Sequence, residues 1–106
     1  MTVNIFNCKG HREMVRGAAP PDFYIGRPSP LGNPYPISYE NTREEVIEGY
    51  RLWIIRKLKD KNSIQYKEFQ KMRKSLKDFG IVNLWCWCYP QPCHGNIIKE
   101  ILLKTR

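Results

Sequence analysis

The sequence predicts a small single-domain α/β fold spanning residues 1–106, with a short sheet of about three strands covered by three helices in the order β-β-α-α-β-α. Three observations predict it. A length of 106 residues suffices for one hydrophobic core and not for two. A hydrophobic fraction of 42% excludes an intrinsically disordered chain. Short apolar runs of strand length occur beside longer segments with apolar residues at helical spacing, and such elements pack in two or three Rossmann-like layers.

The first part of the chain is predicted to hold two strands and an ordered loop. Residues 2–6 alternate polar and apolar side chains, and residues 23–25 form a very short second strand after a basic, glycine-punctuated connection. The segment that follows, GRPSPLGNPYPI, contains four prolines and two glycines. This density excludes both helix and strand and predicts a loop of defined shape.

Two amphipathic helices are predicted next. Asn41 or Thr42 caps the first, and Thr42 with Glu45 matches a capping box. The second runs over residues 64–79 and ends at Gly80, a residue type common at helix C termini. The residues predicted to face the sheet are Val46, Ile47, Tyr50, Ile54, Leu58, Phe69, Met72, Leu76 and Phe79.

The stretch LWCWCYPQPCHGNIIKEILL, residues 84–103, carries three of the four cysteines and one of the two histidines. Its first part is an apolar strand that Pro90 and Pro92 end, and helical spacing begins at about residue 93. Trp85 and Trp87 are predicted to face away from the strand cysteines and to pack under the helices, although one of them could stack on a base.

The start of this last helix is predicted to bind a ligand, because the first backbone amides of a helix have no partner within it. Helix-dipole effects favour a thiolate at Cys93, and the adjacent His94 could accept or donate a proton, so both are candidate catalytic residues. Consecutive helical residues point about 100° apart, which leaves ligand binding and simple packing as alternatives to covalent catalysis. Gly95 and Asn96 are predicted to complete the binding turn.

The proline-rich loop is predicted to contribute the other half of this ligand site at the same edge of the sheet. Arg27 offers a planar fork for phosphate or carboxylate, while Ser29 and Asn33 offer hydrogen bonds. Gly26 and Gly32 permit close approach of a ligand to the backbone. The alternative is an irregular loop in which the asparagine only satisfies its own turn.

A zinc site is a second interpretation of the cysteines. Cys86, Cys88, Cys93 and His94 have the composition of a Cys3His site. A C-x-C pair on a strand is a less common arrangement for zinc than a wider knuckle, and cysteine is often buried as a small apolar residue. Core thiols are therefore favoured over a metal, and no cofactor is assigned.

The formal net charge of +8 favours polyanionic partners or a phosphorylated ligand. Many basic side chains fall on the two central helices, where they form either a solvated outer face or a nucleic-acid surface. The residues of that surface are Lys67, Lys71, Arg73, Lys74 and Lys77. Without an apolar window of about 18 residues or a secretory signal, the chain is predicted to be soluble and cytoplasmic, in the host cytoplasm if it is viral, with no membrane partner.

Two motifs, YIGRPSPLGNPY at residues 24–35 and LWCWCYPQPCHGNIIKEIL at residues 84–102, flank the helix TREEVIEGYRLWI at residues 42–54. In this order and spacing they resemble the family called domain of unknown function 4326, which is found in bacteria and phages. The resemblance covers nearly the whole chain and implies no activity. A more limited likeness is to domain of unknown function 488, whose members place a Cys-His-Arg at a helix start, where Gly95 stands here in place of the arginine.

These observations leave three hypotheses of function. The first is binding of a phosphorylated, nucleotide-like ligand between the loop and the Cys-His-Gly helix start, with or without catalysis. The second is a nucleic-acid-binding module that uses the basic helices. The third is a phage accessory protein that sequesters a nucleotide signal or inhibits a host protein.

Overall fold

The structure is a computed structural model that describes residues 1–34, 42–87 and 93–104. Its elements are β1 (Thr2–Asn7), α1 (Glu13–Gly17), β2 (Asp22–Tyr24), α2 (Arg43–Leu58), α3 (Ile64–Phe79), β3 (Ile81–Cys86) and α4 (His94–Lys104). The predicted α/β class is confirmed, with the addition of α1 in the connection between the first two strands. This helix buries none of its side chains, so it has no apolar stripe by which it could be predicted. The predictions for Tyr35, Asn41, Cys88, Pro90 and Pro92 lie outside the described residues.

The three strands are parallel and lie in the order β1-β3-β2. Because they all run in one direction, their carboxyl ends meet at one edge of the sheet, where α4 also begins. β2 is one residue earlier than predicted, but the Ile25 N–H still donates to the Trp85 carbonyl at 2.9 Å. The loop after β2 therefore leaves the sheet directly beside β3.

One face of the sheet packs against α2, α3 and α4 and forms the core. The buried side chains of the strands and helices include Val3, Phe23, Val82, Leu84, Cys86, Val46, Tyr50, Ile54, Phe69, Met72 and Leu76. This confirms most of the predicted helical stripes. Phe79 is an exception, because it is the last residue of α3 and its side chain is 59% exposed.

The helix ends follow the predicted local signals. The Thr42 hydroxyl accepts a hydrogen bond from the Glu45 N–H at 3.2 Å, as a capping box requires. Gly80 has φ 73°, and its N–H donates to the Leu76 carbonyl at 2.9 Å. In the described ranges, none of the helices combines the length and apolar character needed to cross a membrane.

The prediction that Trp85 and Trp87 pack under the helices is wrong. Side chains alternate along a strand, so a residue that faces away from the buried Cys86 also faces away from the helices that cover it. The indole N–H of Trp85 donates to Asp22 Oδ1 at 2.9 Å on the opposite face of the sheet. Trp87, just beyond β3, is 47% exposed.

Candidate functional site

His94, the first residue of α4, lies at the carboxyl edge of the sheet and is only 6% exposed. Its Nε2 is 2.6 Å from the carbonyl oxygen of Ile25, which can only accept, so Nε2 carries the proton. Burial lowers the pKa of His94 below its usual value, the bond to Ile25 opposes this, and the Arg27 charge lowers it further. The ring is therefore neutral near pH 7 and its Nδ1 has a free lone pair.

This Nδ1 makes no hydrogen bond within the part of the chain that the structure describes. A histidine with one nitrogen tied to a backbone carbonyl has a fixed tautomer and orientation. The second nitrogen can then accept a hydrogen bond or a proton from a ligand.

Tyr50 on α2 contacts both the start of α4 and the loop after β2. Its ring contacts His94 edge-on with ring centroids 5.1 Å apart, and its hydroxyl donates to the Leu31 carbonyl at 2.8 Å. Burial raises the pKa of Tyr50, with the nearby Cys93 as a second cause, so the phenol stays a neutral donor. The sequence analysis treated this residue only as part of an apolar stripe, although a buried tyrosine hydroxyl usually needs a partner.

Cys93 caps α4. The Gly95 N–H donates to its sulfur at 3.4 Å, and its own N–H donates to Asn96 Oδ1 at 3.0 Å. The Asn96 N–H donates to the Cys93 carbonyl at 3.0 Å. The expectation that these first amides are unpaired is therefore wrong for Gly95 and Asn96, because the side chain and carbonyl of the cap residue occupy them.

Gly95 also has a packing role. A Cβ atom there would lie 3.1 Å from Ile25 Cδ1 and 3.3 Å from the Cys93 sulfur. The absence of a side chain thus lets the first turn of α4 sit directly against the end of β2. Its predicted contact with a ligand stays a prediction.

Three cysteines lie at this edge of the sheet. The sulfurs of Cys86 and Cys93 are 3.6 Å apart, and the Cys8 N–H donates to the Cys86 carbonyl at 2.8 Å. Burial, followed by the proximity of Cys86 and of Glu13, raises the pKa of Cys8 to about 11. All three thiols are buried. Sequence reasoning missed Cys8, because only the pairing of β1 with β3 brings it to this edge.

These thiols do not form a metal centre within the described residues. No three His, Cys, Asp or Glu side chains there are placed to hold an ion. The Ile25 carbonyl occupies Nε2 of His94, which leaves Nδ1 as the ring nitrogen that could bind an ion. Cys88, the remaining member of the predicted Cys3His set, lies outside these residues.

The loop after β2 folds back on itself through two tight turns. The Ser29 N–H donates to the Gly26 carbonyl and the Gly32 N–H to the Ser29 carbonyl, both at 2.9 Å. Arg27 Nε donates to the Asn33 carbonyl at 2.6 Å. A Cβ at Gly26 would lie 2.5 Å from the Tyr24 hydroxyl, so the bare backbone of this glycine makes room for the Tyr24 ring.

Ser29 lines a cavity of about 260 Å³ at the β2 edge of the sheet, and His94 is not among its lining residues. Asp22, Tyr24, Arg16 and Lys71 also line this cavity. Within the described residues, the Ser29 hydroxyl is the fully buried side-chain group without a hydrogen-bond partner. Ser29 thus lies at this cavity, whose lining includes neither Arg27 nor His94.

The basic residues predicted to form a nucleic-acid surface are partly engaged along α3. Lys71 pairs with Glu68 at 2.9 Å and Lys74 pairs with Asp78 at 2.6 Å. Arg73 donates to Gln70 at 2.7 Å. Such pairs are those expected of a solvated helix face, and the nucleic-acid role of this set, with Lys67 and Lys77, stays a prediction.

Comparison with known proteins matches the chain to one family. The family model described as Domain of unknown function (DUF4326) matches residues 7–104. Neither the curated proteins nor the solved structures gave a match. The matched region includes the loop after β2, the histidine at the start of α4 and the three clustered cysteines. The chain therefore belongs to the family Domain of unknown function (DUF4326).

Proposed function

We propose that this domain binds a phosphorylated, nucleotide-like ligand at the carboxyl edge of the sheet, between the loop of residues 26–33 and the start of α4. The observation that carries the proposal is His94: a buried, neutral imidazole held by the Ile25 carbonyl, with Nδ1 making no hydrogen bond among the described residues. Open parallel sheets bind ligands at this edge.

Arg27 supports an anionic ligand. Its positive charge adds to the lowering of the His94 pKa, after burial as the main cause. A phosphate beside the guanidinium would be held by a charge-assisted hydrogen bond. Since the amides of Gly95 and Asn96 already have partners, we assign the anion to the arginine rather than to the helix start.

His94 supports a reaction on the bound ligand. A hydroxyl or a water molecule that donates to Nδ1 is in position to lose a proton to it, which is general-base catalysis. Cys93 is less suited to act as nucleophile, because its sulfur accepts the Gly95 N–H and is 3% exposed. Histidine is therefore the proposed catalytic residue if the ligand is turned over.

A thermal-shift screen tests the binding. Nucleoside mono-, di- and triphosphates, dinucleotides and inorganic phosphate are added to the protein, and a ligand at about 100 times its Kd should stabilise the fold by about 2.7 kcal/mol. For a domain of this size that corresponds to roughly 10 °C or more in Tm. Chromatography of the nucleotide after incubation then distinguishes two functions. A new product shows that the protein is an enzyme, and unchanged nucleotide shows that it only sequesters the ligand.

Three variants locate the site. Arg27→Gln and His94→Gln should each reduce the shift, whereas Arg56→Gln, which removes the same charge from the exposed side of α2, should leave it intact. In the wild type, the ligand should also move the imidazole NMR signals of His94. Unchanged binding by both site variants, together with an unmoved His94 signal, would show that the proposed pocket is wrong.

A further inference from the structure

We propose that the sheet face opposite the long helices binds single-stranded nucleic acid by stacking bases on Phe6, Tyr24, Trp85 and Trp87, which we call the aromatic face. The proposal concerns a different surface from the nucleotide site and does not depend on it. It also differs from the nucleic-acid surface predicted on the basic helices. Four features of the described residues carry it.

The first feature is that this face is largely open. Parallel sheets normally have helices on both faces. Here α2, α3 and α4 form the core on one face, while α1, which contacts β2, has five residues and buries none of them. As a result, the Phe6 side chain is 39% exposed and Trp87 is 47% exposed.

The second feature is register. Phe6 on β1 and Tyr24 on β2 both pair with Trp85 on β3, so one aromatic residue from each strand lies in a single row across the sheet. The rings of Phe6 and Trp85 have centroids 5.0 Å apart. Neighbouring strands are about 4.8 Å apart, so the row extends roughly 10 Å, a length that matches two or three stacked bases.

The third feature is that the polar atoms of these aromatic rings are already bonded within the protein. Trp85 donates to Asp22 at 2.9 Å, Trp87 donates to the Tyr24 hydroxyl at 3.1 Å, and that hydroxyl donates to the Arg27 carbonyl at 2.6 Å. These bonds fix the rings in place, and Phe6 and Trp87 are the aromatic residues of this face that stay exposed to a ligand. Base stacking uses the π faces of such rings and tolerates any sequence.

The fourth feature is positive charge beside the face. The connection between β1 and β2 carries Lys9, Arg12 and Arg16, which are exposed and make no ion pair within the described residues. His11 in this connection has its ring centroid 5.3 Å from that of Trp85, and Arg16 lines the cavity that Tyr24 also lines. Phosphates of a bound strand would meet these cations.

Two carboxylates also lie near the face, and both are engaged. Glu13 is 3.6 Å from His11, and Asp22 accepts hydrogen bonds from Asn83 and Trp85. Asn4, Asn83 and Asp22 form a polar row next to the aromatic one. A polar row and an excess of cations favour a polyanion over a second copy of this chain as the occupant.

Binding is measured by fluorescence anisotropy with fluorescein-labelled 12-nucleotide single-stranded DNA, RNA of the same sequence and the matching duplex. We expect a Kd on the order of 1–100 µM for the single strands at about 0.1 M salt, weakening as salt rises. The DNA and RNA arms show which backbone is preferred. Tryptophan fluorescence should be quenched on binding, because bases stack on indole rings.

Phe6→Ala and Trp87→Ala should each weaken binding about tenfold, as the loss of one stacked base predicts. Both side chains are exposed, so the variants should keep the fold, which circular dichroism checks. Phe79→Ala is the matched control, because it removes an equally exposed phenylalanine at the end of α3. Replacing Arg12 with Gln should make the affinity for single strands less dependent on salt concentration, because one phosphate contact is lost.

Three results would overturn the proposal. The first is a failure of the binding assay to single out this face. Either Phe6→Ala and Trp87→Ala bind single strands as tightly as Phe79→Ala does, or no single strand binds at about 100 µM protein. The second is tighter binding to the duplex than to single strands, lost on substitution of Lys67 and Lys77, which would locate binding on the basic helix. The third is a dimer in sedimentation that Phe6→Ala converts to monomer, which would make the face a subunit interface.

Discussion

Lowering the pH from 7.5 to 5.5 should destabilise this protein through His94. The folded-state pKa of this histidine lies below its ordinary value of 6.5, with burial as the main cause. The unfolded chain therefore takes up a proton as the pH falls through 6.5, whereas the folded chain does so only at a lower pH. Stability is fully present above the unfolded-state pKa and is lost as the pH falls toward the folded-state pKa.

The size of the effect follows from the proton count. Between these two pH values the unfolded imidazole changes from about one-tenth to about nine-tenths protonated. The free energy of unfolding falls by at most about 1.4 kcal/mol, the value for a folded imidazole that stays neutral over the whole range. Carboxyl groups titrate mostly below this range, so histidines dominate it. The sequence has two of them, His94 and the exposed His11.

Urea unfolding at pH 7.5, 6.5 and 5.5, at constant ionic strength, measures the loss. His94→Gln keeps an N–H donor for the Ile25 carbonyl but does not titrate, so its stability should change much less over the same range. His11→Gln, the matched control, should behave as the wild type does. An equal loss in wild type and His94→Gln, or a folded-state His94 pKa of 6.5 or above by NMR, would refute the reasoning.

Three further predictions concern stability and are measured by urea unfolding. Tyr50→Phe removes a hydrogen bond to a buried loop carbonyl without leaving a cavity, and should cost about 1–3 kcal/mol; a loss below about 0.5 kcal/mol would contradict the bond's importance. Gly95→Ala inserts a methyl group 3.1 Å from a neighbouring side chain and should cost about 1–3 kcal/mol, whereas Gly17→Ala, with no atom within 4 Å, should cost far less; equal effects would contradict the packing role. Ser29→Ala removes a buried hydroxyl that has no partner in the described residues and should be neutral or stabilising. Ser75→Ala breaks a 2.8 Å hydrogen bond to a backbone carbonyl and should cost about 1 kcal/mol. A larger loss of stability in Ser29→Ala than in Ser75→Ala would show that the Ser29 hydroxyl does have a partner.

The parts of this fold that the sequence predicted are those decided by local interactions. The bounds of α3, the capping box at Thr42 and the left-handed Gly80 all depend on residues within a few positions of one another. The helix start at residues 93–96 was also predicted from local spacing, as was its place at the carboxyl edge of the sheet. Helical period, caps and prolines act over one or two turns, so one sequence suffices to recognise them.

Tertiary structure alone decided which distant residues meet. The strand order β1-β3-β2 brings Cys8 to the other thiols, places Phe6 and Tyr24 on either side of Trp85, and turns the indole away from the helices. Tyr50 likewise meets His94 only because α2 packs across the start of α4. These contacts join residues tens of positions apart, where no local pattern specifies the partner. The sequence by itself thus determined the elements and where reactive groups lie on them, and the pairing of the strands decided which of those groups share a site.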